Sequence, residues 1–138
     1  MAAAKFLDAI ARFPGCSGED SDAINAYTQV SLDNLAELLG TAGGKSIQPE
    51  TWISLPRNRR PKEWDNIDQP VVKLLCNLYG HPLAGLIWEK HCHRAILGAG
   101  FEQNPGWECL LVHNKKQLYL SVYVDDSRMS GNTDAPSF

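Results

Sequence analysis

A chain of 138 residues, 43% apolar and 21% charged, is long enough to bury a core in one domain, and this composition excludes wholesale disorder. Its formal net charge of −3 excludes a global attraction for nucleic acid and leaves only local basic patches for such contacts. No run approaches the ~20 apolar residues of a membrane span, and Asp8 interrupts MAAAKFLDAIARF where a secretory signal needs an apolar stretch. An intracellular protein without a membrane segment is expected, its four cysteines reduced.

Ala3, Phe6, Leu7, Ile10 and Phe13 recur at helical spacing, and Pro14-Gly15 ends that first amphipathic helix. CSGEDSDAINAYTQ turns from small and acidic to apolar, and SLDNLAELL gives a second helical pattern capped by Ser31. GTAGGKSIQPE is a loop. ETWISLP, stopped by Pro56, reads as a short edge strand. RNRRPKEWDNIDQP is polar and locally basic, and PVVKLLCNLYG fits strand or helix equally. Between Pro82 and Gly100, Ala84, Trp88, Cys92, Ala95 and Ile96 form the clearest helical stripe. ECLLVHN and QLYLSVYV are two strands separated by Lys115-Lys116, with a third short strand allowed after Asp126.

Several constellations fail on spacing. GTAGGKS needs glycine at position 39 to be a phosphate-binding loop and has Leu39. EDSDAIN has Ile24 where a calcium loop needs an oxygen. Cys76, His81, His91, Cys92, His93, Cys109 and His113 contain no paired zinc-ligand spacing, and Cys92 falls in the apolar stripe with His93 turned away. Arg57, Arg59, Arg60 and Lys62, within six positions, are candidate phosphate contacts or a solvated loop.

Asp125-Asp126 is different in kind. Leu118, Leu120, Val122 and Val124 alternate with Tyr119, Ser121 and Tyr123, so an amphipathic strand runs straight into two carboxylates. Such a pair either caps a turn or binds a hard divalent cation, whose charge offsets the repulsion. A third carboxylate from elsewhere favours the cation.

Tyr-Val-Asp-Asp, Tyr123 to Asp126, resembles the active-site turn of reverse transcriptases. The stretch from Val71 to Phe101, with Lys73, Leu74, Leu78, Tyr79, Gly80, Trp88 and Gly100 in order, is similar to the palm of copia-type LTR retrotransposon enzymes. DAINAYTQ resembles that family's first acidic motif, with Asp22 as the third carboxylate, and ETWISLP resembles a further segment. Two positions depart: HPLAGL puts Leu83 and Leu86 where the family has Gln and Arg, and GCSGEDS is small and charged where the strand before the first motif is apolar.

The resemblance implies an α+β fold, a polymerase palm-like antiparallel sheet packed against helices with a truncated fingers portion. It divides the chain into a fingers-derived helix and linker (1–20), a palm (21–132) and a disordered tail (133–138). It implies RNA-directed DNA polymerisation with Mg²⁺ or Mn²⁺ held by Asp22, Asp125 and Asp126, and nucleotide contacts from Tyr27 and Tyr123. Template-primer, dNTPs and other parts of a Pol polyprotein are the implied partners. The chain on its own is expected to polymerise poorly. The alternative is a non-catalytic relic palm that binds nucleic acid or a protein.

Overall fold

The computed structural model describes residues 2–33, 35–39 and 50–134. The glycine-rich loop GTAGGKS and residues 135–138 of the expected tail lie outside them. In chain order the elements are α1 (Ala2–Ile10), β1 (Cys16–Asp22), α2 (Leu35–Leu39), β2 (Trp52–Ser54), β3 (Val71–Lys73), α3 (Ala84–Gly98), β4 (Glu102–Asn104), β5 (Trp107–His113), β6 (Leu118–Tyr123) and β7 (Asp126–Asn132). The fold is α+β, with an antiparallel five-stranded sheet ordered β1-β7-β6-β5-β4. No helix among the described residues is long and apolar enough to cross a membrane.

The chain forms two compact units, residues 1–26 with 88–138 and residues 27–87. In the first, α1 lies over one face of the five-stranded sheet. Ala3 and Leu7 of α1 are buried, and Phe6 sets its ring 5.5 Å from Trp107 and 5.6 Å, edge-on, from Tyr119. Gly18 is where α1 comes closest: an added Cβ would stand 2.9 Å from Ala11 Cβ and 3.0 Å from Ser130 Oγ. The opposite face carries Phe101, Leu111 and Leu118, with Ile96 of α3, Leu120 and Met129 packed on them. Direct cross-strand partners point to the same face, so the pairs Leu111↔Leu120 and Leu120↔Met129 build this core by register alone.

Two strands differ from the sequence expectation. CSGEDSD forms all of β1 although six of its seven residues are exposed, because its backbone pairs along its whole length with β7. An edge strand needs no apolar alternation when a neighbour fixes its register, and its charges deter further pairing. β7 was expected to be short and runs seven residues, between β1 and β6. Its sequence DSRMSGN hides this, since small residues such as Ser130 and Gly131 fill a crowded position that bulky ones cannot. β6 also stops at Tyr123, one residue earlier than the apolar alternation, leaving Val124 in the turn. Of the expected tail, Thr133 is tied down: its N–H and hydroxyl both donate to Gly15 O at 3.0 Å.

In the second unit the short strand read from ETWISLP is β2, and it pairs antiparallel with β3, which resolves PVVKLLCNLYG as strand at its start. Asn77, fully buried, is satisfied on both ends: Nδ2 donates to Ala84 O at 3.0 Å and Oδ1 accepts from Leu78 N–H at 3.0 Å. Ser31 Oγ accepts from Asp33 N–H at 3.2 Å ahead of α2, a local turn in place of the longer capped helix expected.

Candidate metal centre

β1 ends at Asp22 and β7 begins at Asp126, and the two are direct cross-strand partners. Asp125 precedes Asp126 in the two-residue turn from β6. The result is that Asp22 and the Asp125-Asp126 pair, about a hundred residues further along the sequence, present carboxylate oxygens all within 4.8 Å of one another. Asp125 is half-buried and the other two are exposed. Among the described residues this is the group of three or more His, Cys, Asp or Glu side chains that could hold a cation. Oxygens around Mg²⁺ lie about 2.9 Å apart when adjacent and about 4.1 Å when opposite, from bonds of about 2.05 Å, so the three side chains would draw closer together on a hard cation. The donor set is all oxygen, which suits Mg²⁺ or Mn²⁺.

Three hydrogen bonds hold the centre, and one strained residue lies within it. Ala23 N–H donates to Asp125 O at 2.9 Å, fastening the end of β1 to the turn. Ser21 Oγ and Ser127 Oγ hydrogen-bond at 2.7 Å one register pair away. Trp88 of α3 donates its indole N–H to Val124 O. Val124 itself has φ +58, a left-handed conformation that β-branched residues rarely adopt and that costs about 1–3 kcal/mol. A two-residue hairpin normally places glycine there.

The nearest cation on β7 is already engaged. Arg128, the register partner of Asp20, donates to both Asp20 oxygens and to Asp8 Oδ1 of α1 at 2.6 Å. Hydrogen bonds from Arg128, aided by its charge, hold the Asp20 carboxyl below the ordinary aspartate value, with burial opposing. The same contacts raise Arg128 further. A lowered carboxyl contributes stability above its unfolded pKa of about 3.9 and loses it as pH falls through the folded value. The melting-temperature difference between the parent and Asp20→Asn is therefore expected to be positive at pH 6 and to shrink towards zero in acid as the carboxyl protonates in the folded state; a difference independent of pH would count against this ion pair.

The other residues singled out in the sequence distribute as follows. Tyr123 stands at the end of β6 opposite Asp126 and is 77% exposed, open to a ligand. Tyr27 lies in the 27–87 unit, its ring 4.4 Å from Tyr79. Arg57, Arg59, Arg60 and Lys62 sit in and beside two 3-10 turns of that unit. Arg60 is a brace rather than a free phosphate contact, its Nε donating to Leu55 O at 2.7 Å and a terminal nitrogen to Ser54 Oγ at 3.2 Å. Arg57, Arg59 and Lys62 are exposed. All four thiols are unpaired, Cys76 and Cys109 exposed, Cys16 and Cys92 half-buried, and burial pushes the Cys92 thiol up.

Sequence reasoning missed two contributors. Trp88 was read as part of an apolar stripe and as a position of the family resemblance, with no role at the acidic turn, although a buried indole N–H needs an acceptor, which was a signal in itself. The Arg128 network was invisible because its three members are 8, 20 and 128 in the chain. No family model, curated protein or solved structure matches the chain.

Proposed function

We propose that the protein is a palm-like nucleotidyl-transfer domain of the reverse transcriptase kind, with Asp22, Asp125 and Asp126 holding the divalent cations. One observation carries the reading: the three acidic positions singled out by the resemblance to copia-type enzymes are the three whose carboxylates converge. An Asp-Asp turn that merely capped a strand would need neither Asp22 within 4.8 Å nor a strained Val124.

Bound there, Mg²⁺ or Mn²⁺ would activate a primer 3′-hydroxyl and neutralise the triphosphate and its leaving pyrophosphate. The chain's own part is to keep three charged oxygens together in advance. The β1–β7 register supplies Asp22 and Asp126, and the turn aims Asp125. Tyr123, exposed beside them, offers a ring face for a base or sugar.

The test is coupled binding. Mn²⁺ is expected to broaden the amide signals of residues near Asp22 and Asp125 at one stoichiometry, and a dNTP is expected to tighten Mn²⁺ binding, since the triphosphate adds oxygen ligands. Either aspartate changed to asparagine should remove both effects. Mn²⁺ binding with no response to dNTP would leave a metal-binding module of the non-catalytic kind; broadening indifferent to Asp22→Asn would remove the centre altogether.

A further inference from the structure

We propose that Trp88 is a positioning residue that clamps the acidic turn in its cation-ready shape, which ties the position of α3 to the affinity of the metal centre. The inference rests on the metal reading above. It starts from Val124, whose positive φ is unfavourable for a β-branched side chain and whose side chain is 42% exposed, so apolar burial is not what keeps it there. Two hydrogen bonds to successive carbonyls do. Trp88 Nε1–H reaches Val124 O from α3, and Ala23 N–H reaches Asp125 O from β1. The turn is thus gripped by two separate elements, one of them the strand that carries Asp22.

Trp88 is itself fixed. It is 6% exposed, its indole N–H is engaged by Val124 O, and it lines an apolar groove between α3 and the sheet with Cys92, Ile96, Leu120 and Val122. A shift of α3 therefore moves the Val124 carbonyl. Loss of the clamp lets Val124 fall back to negative φ, and Asp125 turns with it, away from Asp22.

The experiment compares the parent, Trp88→Phe, Val124→Gly and the double variant, reading Mn²⁺ affinity by electron paramagnetic resonance and hydrogen exchange at the Ala23 amide. Trp88→Phe is expected to weaken Mn²⁺ binding roughly three- to tenfold, the range one hydrogen bond supplies. Ala23 exchange should accelerate while amides of β5 stay protected. The loss should shrink in the Val124→Gly background, because glycine holds positive φ without help. A residue that only packs would lower the melting temperature and leave Mn²⁺ affinity and the Ala23 amide unchanged, and that outcome overturns the proposal, as does an equal loss in both backgrounds. Should Trp88→Phe not fold, the parent decides: Mg²⁺ is expected to slow exchange of the Trp88 indole N–H, and an indole indifferent to bound Mg²⁺ refutes the clamp. If Asp22→Asn leaves Mn²⁺ binding intact, the metal reading fails on its own, and Ala23 exchange still judges the clamp.

Discussion

Asp125→Asn is expected to reverse its effect on stability according to whether a divalent cation is present. Without one, the parent holds three carboxylates within 4.8 Å, and each repelling pair costs about 1 kcal/mol in water-like surroundings. Among the described residues none of the three pairs with a cationic side chain, since Arg128 serves Asp20 and Asp8. Neutralising Asp125 should therefore raise the melting temperature by a few degrees in a chelated buffer. With Mg²⁺ at about a hundred times its Kd, binding adds about 2.7 kcal/mol to the parent. The variant has lost a direct ligand, and its affinity should fall about 100-fold, at the upper end of what altering a supporting residue does. It then melts below the parent. Melting curves with and without Mg²⁺ read both signs in one experiment. Two curves that shift in parallel would mean that Asp125 caps a turn and binds nothing.

How much of this was legible in the sequence depends on what each signal reports. α3 was plain because a stripe at helical spacing with Pro before and Gly after is sufficient locally. β6 was plain because alternation fixes face and register together. The same alternation misassigned Val124, since hydrophobic period cannot register the φ of +58 at which the strand stops. β1 and β7 were poorly legible for a physical reason: their stability comes from each other. CSGEDSD has no apolar face and DSRMSGN almost none, yet seven cross-strand pairs join them. Asp125 and Asp126 stood out locally, at the end of an amphipathic strand, but Asp22 could be joined to them only through a resemblance, because nothing local links position 22 to position 125. Their convergence is a property of that polar pairing. A local reading of either strand alone misses it.

Gly131→Ala is expected to be among the most damaging single substitutions in the chain, and the reason bears on the centre at the other end of β7. Gly131 pairs with Leu118 on one side and Ser17 on the other. Its φ is +153, and a Cβ there would stand 2.2 Å from Gln117 O and 2.9 Å from Leu118 Cα, both backbone atoms that no rotamer change can remove. Relief requires moving the Gln117 carbonyl, which accepts the Asn132 N–H, and opening the β6–β7 ladder. A cost of about 4 kcal/mol or more follows. Gly106→Ala is the control: its φ of +81 is strained for alanine, but nothing lies within 4 Å of the added carbon, so about 1–2 kcal/mol is expected. Urea unfolding of the two variants separates backbone collision from backbone strain, and equal losses would disprove the collision. Where Gly131→Ala retains structure, Mn²⁺ affinity should fall as well. β7 is the strand that carries Asp126 to Asp22, and a slip of one residue along β6 or β1 would turn Asp126 to the opposite face of the sheet, dispersing the three carboxylates.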